Sequence, residues 1–585
     1  MLTRKVIGSA ILVLLAGLPL RAQDSVLHRV PGDASVVVHI RGFENTKNRL
    51  LALTRNALGD LAVNVVPAIE QGIEQALDGR KLDGLEPAGP CLIAMKSFSS
   101  NPLPAVIIAK ARDADQFAKS FFRPGELAPG KGPIREAQIA GMSLYYTARQ
   151  GYVYLATSRQ WLEECLKGPA DGGLAKSISQ PAAERLLKSD LAVYCNLEHL
   201  KKEFAEQLKE LKKLMEGIPV SAPDEATRKV LQGVLDTVVR AVDDSQAALL
   251  SVDFEPDGLA VHAGVRFKAD SLTSGFLKRQ KQSSIKSVAQ LPRGMLFYAS
   301  YLLSDDLYEF VQAFTAGAPG GKDLTQATRK MLKAGPGEAM SAFTFAGGLA
   351  GIQIEEFADP EQGLQASLEM LRSTAGKVEQ TGIKSVQVRE RARRVGAITF
   401  HEVAMELDIA GMLSQEQVGG VPGLDKAVEN FVRGLLGGDR ITAWMGIHEK
   451  RVMTVYAPRW AEAEKLVQDY LDGKTPLRTA AGYKLLSKHL PEQGTVYVVI
   501  DSPRLAGWLA GIMGEFMKAF GAPGQVKPVK LRDDGDFIGL VLGLKPEVFT
   551  FDLWIPATTV RDFRDAFGPL IPVFQQGGAG IGAGR

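Results

Sequence analysis

The chain has 585 residues, of which 45% are hydrophobic and 23% charged, and its formal net charge is +3. This is globular composition, too apolar for disorder and long enough for two or more domains with cores of their own. A charge so near balance over such a length supplies no basic field of the size that nucleic acid needs, so no nucleic-acid partner is expected.

At the start, Arg4 and Lys5 precede the apolar run "VIGSAILVLLAGL", which is followed by "PLRAQ". That order is a secretory signal peptide over residues 1–22, with Ala22 as its last residue and a mature chain beginning near Gln23. No cysteine follows the run, so there is no lipoprotein attachment site. At roughly a dozen residues it falls short of the ~20 that span a bilayer as a helix, so no integral transmembrane domain is expected after cleavage. An uncleaved N-terminal anchor is the minor alternative to a free periplasmic or secreted protein. Cys91, Cys165 and Cys195 each sit in apolar sequence, which favours buried free thiols over one disulfide and a remainder.

Four stretches then repeat one pattern. "VPGDASVVVHI" (30–40) is echoed by "LPRGMLFYASY" (291–301), by "LPEQGTVYVVI" (490–500), and more loosely by "LKSDLAVYCNL" (187–197), where Lys188 replaces the proline. Proline lacks an N–H and fixes φ, which suits the residue that feeds a strand. After each opening comes a helical segment, two extended runs and a second helix. "AVIIAKARDADQFAKSFF" (105–122) matches "GIQIEEFADPEQGLQASLEML" (351–371), with Asp113 and Gln116 recurring as Asp359 and Gln362. Asp at that place is a helix N-cap. Pro256 and Pro546 occupy the same hairpin turn in "ALLSVDFEPDGLAVHAGVRFKADSLTSGFL" (248–277) and "FIGLVLGLKPEVFTFDLWIPATTVRDFRDAF" (537–567). An extra hairpin and helix, "YVYLATSRQWLEECL" in one half and "VMTVYAPRWAEAEKL" in the other, matches Arg159 with Arg459 and Trp161 nearly with Trp460.

The expected architecture is α+β: a tandem duplication of four β-α-β-β-α units, with mainly antiparallel sheets covered by helices on one packed face. The halves are placed at 24–285 and 286–575, joined by the polar linker "QKQSSIKSVAQ" (280–290) and followed by a flexible Gly-rich tail at 576–585. The Pro-strand openings and this unit order resemble uncharacterised bacterial exported proteins of the domain of unknown function 3352 type. That resemblance brings no activity and no site residues.

Candidate chemistry is sparse. None of the seven histidines is three or four residues from another His or Cys, and "HEVAM" at His401 has Met405 where a zinc helix needs a histidine, so no metal is expected. Ser283 and Lys286 have Ser-x-x-Lys spacing but fall in the linker, where nothing would desolvate the lysine. "GGAGIGAG" (577–584) runs into the chain end instead of a helix, so it is no phosphate loop, and no cofactor is expected. "RERARR" (389–394) would line one face of a hairpin with Arg389, Arg391 and Arg393, and reads first as a solvated surface. "LEHLKKEFAEQLKELKKLMEGI" (197–218) reads as an amphipathic packing helix.

The helix "LAGWLAGIMGEFMKAF" (505–520) spreads large apolar residues over half its circumference and gathers Gly507, Ala510, Gly511 and Gly514 opposite. Burial on both sides explains it, with the small face closely approached by another element. The sharper reading is an apolar groove lined by Trp508, Met513 and Met517, for an acyl chain or a partner's helix. With no convergent polar constellation, the sequence is read as a non-enzymatic exported envelope protein acting by binding or scaffolding on an unidentified envelope protein or lipid. The alternatives are a hydrolase assembled from distant residues and a carrier of apolar ligands.

Overall fold

The computed structural model describes residues 26–129, 132–168, 172–217, 225–305, 329–345, 347–375, 382–414, 424–519 and 535–568. The signal segment at 1–22 and the tail at 576–585 lie outside the described residues. The chain is mixed helix and strand, its sheets antiparallel throughout the pairings found, and it divides into two compact units. The first takes residues up to Arg49, Pro67–Glu206 and Ala247–Asp253; the second takes Leu50–Val66, Gln207–Gln246 and everything from Phe254 on.

In the first unit the strands are β1 (Val36–Ile40), β2 (Cys91–Met95), β3 (Ala105–Lys110), β4 (Arg135–Ile139), β5 (Met142–Arg149), β6 (Tyr152–Ala156), β7 (Leu191–Asn196) and β8 (Ser245–Glu255). They pair in the order β8–β7–β1–β2–β3–β6–β5–β4. Register puts Tyr194, Val37, Ala94, Val106 and Ala156 in one row across the sheet, and Ala192, His39, Leu92, Ile108 and Tyr154 in the next. Both rows are buried under Trp161, Leu162 and Cys165 of the helix Arg159–Lys167, Leu186 of Gln180–Lys188, and the N-terminal turn at Val26 and Leu27. Fully burying side chains of this size contributes about 1.5–3 kcal/mol each before chain entropy is subtracted.

The second unit contains β9 (Gly258–Phe267), β10 (Ser283–Ser284), β11 (Phe297–Tyr301), β12 (Pro336–Thr344), β13 (Ala350–Phe357), β14 (Ile383–Val395), β15 (Ile398–Leu407), β16 (Arg440–His448), β17 (Arg451–Tyr456), β18 (Gln493–Gly494), β19 (Val496–Asp501), β20 (Phe537–Lys545) and β21 (Val548–Pro556). Apart from the small β10–β18 pair, the order is β14–β15–β16–β17–β13–β12–β11–β19–β20–β21–β9. The central run β17–β13–β12–β11–β19–β20 thus repeats β6–β3–β2–β1–β7–β8 of the first unit. All four echoed stretches are strands, and in each unit two of them lie side by side at the centre: β1 with β7, and β11 with β19. Asp113 and Asp359 both cap helices, accepting from the backbone N–H of Gln116 at 2.9 Å and Gln362 at 3.0 Å.

Several readings of the sequence are corrected. Residues 254–285, placed with the first half, belong to the second unit, where β9 pairs with β21. The segment 280–290 is no solvated linker, because Ile285, Val288 and Ala289 are part of the second unit's core. Ser283 is buried and, with Ser287 and Ser300, donates to the Glu338 carboxylate, while Lys286 is turned out to Glu492, so this Ser-x-x-Lys spacing brings no lysine to the serine. His401 lies on strand β15. The "RERARR" alternation is broken by a bulge between Arg389 and Arg393, with Arg391 at φ 51°; Arg389 pairs with Glu402 at 3.6 Å and Arg393 lies over Trp460. The helix expected over 197–218 ends at Glu203 and restarts at Ala205. Its Leu211 is 52% exposed, so the apolar stripe is not packed along its length, and Ile218 lies outside the described residues.

His39 is the polar member of a buried row, 1% exposed. Burial pushes its imidazole down to about 4, outweighing a backbone bond at Ser189 that pulls the other way, and the Arg41 charge adds to the drop. The folded state therefore binds the proton less well than the unfolded chain, so stability is full above about 6.5 and is lost as pH falls toward 4. That window is worth about 3 kcal/mol. Urea denaturation from pH 7 to pH 4 is expected to show this loss for the native protein and a flatter profile for His39→Leu.

Candidate functional site

Antiparallel sheets commonly turn an apolar face to the core and a polar face to water. Strands β2 "CLIAM", β3 "AVIIAK" and β6 "YVYLA" do not alternate in this way. Register gathers Leu250, Val193, Val38, Ile93, Ile107, Leu155 and Tyr146 into a row on the sheet face opposite His39. The expectation of a single packed face is corrected accordingly: the first unit's sheet is apolar on both sides.

This second face is covered in part. Phe117 and Phe122 pack on Ala109, Val153 and Leu155 at one end, where Phe117 and Phe121 stack with centroids 5.1 Å apart. Beside them lies a cavity of about 980 Å³. Its floor is Ile40, Cys91, Ile93, Ile107, Ala109, Val153 and Leu155; its walls are Phe117 and Phe121, together with Leu77, Leu82 and Leu85 from the segment after the helix Ala62–Ala76. The small side chains of Cys91 and Ala109 leave depth at one end, and Ile107, in mid-strand, remains 36% exposed.

The wall segment is held against the Asp113 cap by a close backbone approach. Gly84 has φ +96°, and a Cβ there would lie 2.3 Å from the Asp113 carbonyl oxygen. Its own carbonyl accepts from the N–H groups of Arg112 and Asp113 at 2.9 and 3.0 Å. No residue but glycine fits that place without moving the wall.

Charged groups ring the mouth. Arg80, its side chain 6% exposed, donates through both terminal nitrogens to Glu126 at 2.7 and 2.9 Å and lies over the Phe121 ring. The Arg80 hydrogen bonds, against the cost of burial, hold the Glu126 carboxyl down at about 2. Lys110 pairs with Glu86 at 3.0 Å and Arg123 with Asp78 at 2.9 Å. The arrangement offers an apolar body site with a polar rim. Among the described residues, no group of three or more His, Cys, Asp or Glu side chains could hold a metal ion.

The residues singled out for an apolar groove lie elsewhere, on the helix Ser502–Ala519 of the second unit. Trp508 stacks on Phe345 at 5.8 Å and meets Phe297 edge-on at 6.5 Å. Met513 is half-buried, and the Met517 side chain lies outside the described residues. On the opposite side Ala506 and Ala510 are buried against Ala566, Phe563 and Phe567 of the helix Thr558–Phe567, while Gly511 of the small face is exposed with nothing near it. None of the three residues lines the cavity of the first unit. What pointed to that cavity in the sequence was the missing polar alternation in β2, β3 and β6.

No protein-family model matches the chain, and no curated protein does. Among solved structures it is similar to two crystal forms of TP0453. Form I is 11% identical over 42% of this chain and 80% of that one, with a TM-score of 0.24. Form III is 11% identical over 43% and 83%, with a TM-score of 0.23. Values of this size carry no conclusion about fold or function. No helix among the described residues is long and apolar enough to cross a membrane.

Arg80→Ala is expected to lower stability by about 1.5 kcal/mol, because it removes a two-bond charged pair and leaves the half-buried Glu126 carboxylate with the Arg123 N–H alone. Since Glu126 titrates well below an ordinary carboxyl, the pair's contribution is present above about pH 4.5 and fades as pH falls toward 2. Thermal unfolding at pH 7 and pH 3 should show a large difference between the two proteins at the first and a smaller one at the second.

Proposed function

We propose that this is an exported, non-enzymatic envelope protein that binds an apolar ligand, an acyl chain with a polar head, in the cavity of its first unit. The observation that carries the reading is the cavity itself, about 980 Å³ with an apolar floor and walls. Its size is at the upper end of the ~300–1,000 Å³ usual for ligand sites, and its lining is of the usual kind. Apolar area left open on a sheet face gains free energy when an apolar body replaces water there, by about 0.8 kcal/mol for each methylene buried. The ion-paired rim would receive the head group. Export rests on the charged-then-apolar opening at Arg4 and Lys5 and on the resemblance to exported proteins of the domain of unknown function 3352 type. Descent from four β-α-β-β-α units is supported by the repeated central strand order and the twin Asp caps.

Oleate is expected to displace a fluorescent fatty acid from the purified protein, with one equivalent retained in native mass spectrometry. Ile107→Asp should weaken binding at least tenfold while the thermal midpoint stays close to the native value, since Ile107 is already in part open to water. A native protein that holds no fatty acid, or an Ile107→Asp variant that binds as before, overturns the site. Intact mass of periplasmic material should begin near Gln23.

A further inference from the structure

The second unit contains a cavity of a different character, about 820 Å³ in volume. It opens between the tip of the β16–β17 hairpin, the end of the helix Trp460–Leu471, the helix Ala481–His489 and the segment Ile285–Val288. Lys286, Arg451 and Arg478 line it against one carboxylate, Glu492. Glu492 is engaged by Lys286. Neither guanidinium has an acidic partner among the described residues: Arg451 donates to the Tyr470 hydroxyl at 3.3 Å, and the Arg478 side chain stands exposed at the mouth. His448, facing Arg451 across the hairpin, has a ring Nδ1 closed off from solvent with no hydrogen-bond partner.

Three cations to one anion leave two positive charges on the lining. Surface arginines without acids are common; two lining one hollow beside an imidazole nitrogen without a hydrogen-bond partner favour an anion there. The walls are also fixed in advance. The Tyr483 hydroxyl donates to the Ile285 carbonyl at 2.6 Å, tying the helix Ala481–His489 to the segment opposite, and Tyr483 itself is 4% exposed. Guanidinium forks match the oxygens of a phosphate two at a time, and pre-set walls spare the cost of ordering them on binding.

We propose that this cavity binds a phosphate monoester, the dianionic group between Arg451 and Arg478 and the polar body toward Tyr470 and Ser487. The volume is larger than a bare phosphate requires, so an ester is expected to bind more tightly than inorganic phosphate. The site is independent of the apolar cavity, and neither proposal needs the other.

Titration calorimetry of the full mature chain with inorganic phosphate, glucose 6-phosphate and glucose tests it, alongside flotation with phosphatidylcholine vesicles carrying phosphatidic acid. Saturable binding of glucose 6-phosphate, weaker binding of phosphate and none of glucose are expected, with affinity falling as salt is raised. Arg478→Gln, at an exposed position, should cost about tenfold in affinity with an unchanged thermal midpoint, and Arg451→Gln a similar factor. Binding to the charged vesicles alone, lost in Arg478→Gln, would make a lipid headgroup the source of the phosphate. If no phosphate ester or charged vesicle binds, or if both variants bind like the native protein, the proposal fails.

Discussion

A β-sheet made of strands apolar on both faces cannot leave either face to water without forfeiting the free energy that its side chains would gain by burial. The first unit depends on this constraint. One face, centred on Val37, Leu92 and Ile108, is closed by two helices and the N-terminal turn. The other carries Val38, Ile93 and Ile107 and, among the described residues, is closed at the end where Phe117 and Phe122 reach it. The cavity is a part of that second face that the described residues wall in without filling. Its position follows from the register of the strands, and its rim from the ion pairs that, with the packing of Leu82 and Leu85, hold the loop over residues 78–90 in place.

The second unit meets a similar demand with different material. Its core row runs through Tyr298, Ala342, Ile352, Val455 and Trp444, covered by the helices Trp460–Leu471 and Ala481–His489. The segment 280–290 completes that cover. Polar in composition, it buries Ile285, Val288 and Ala289 and meets its own polar demand by delivering the hydroxyls of Ser283 and Ser287 to Glu338. A carboxylate with this many donors is satisfied where it stands, which lets a serine-rich stretch serve as a lid over core.

Local features were legible in the sequence. The Asp caps at Asp113 and Asp359 and the strand openings after Pro31, Pro292 and Pro491 depend on neighbours a few residues away. Strand order and register depend on partners hundreds of residues apart, as with Val548 opposite Arg266, and periodicity does not encode them. The polar look of 280–290 misled because the Ser283 and Ser287 hydroxyls have their hydrogen bonds met by the half-buried Glu338 carboxylate and can then lie against the core. Trp508 is half-buried, with Phe345 and Phe297 against part of its ring, a contact made by residues far away in sequence that periodicity does not encode. The apolar cavity was visible only as missing alternation, a signal that says a face is dry without saying what dries it.

The three cysteines have a consequence for the chemistry of the chain in an oxidising compartment. None is in a disulfide, and burial raises all three thiols, Cys91 to about 11 and Cys165 to about 12. Disulfide exchange is carried by the thiolate, and a group at 11 is ionised in only about one molecule in ten thousand at neutral pH. The apolar surroundings that shape the floor of the cavity therefore also hold Cys91 in its protonated, weakly nucleophilic form, which would slow the pairing of an odd set of thiols under the export proposed above.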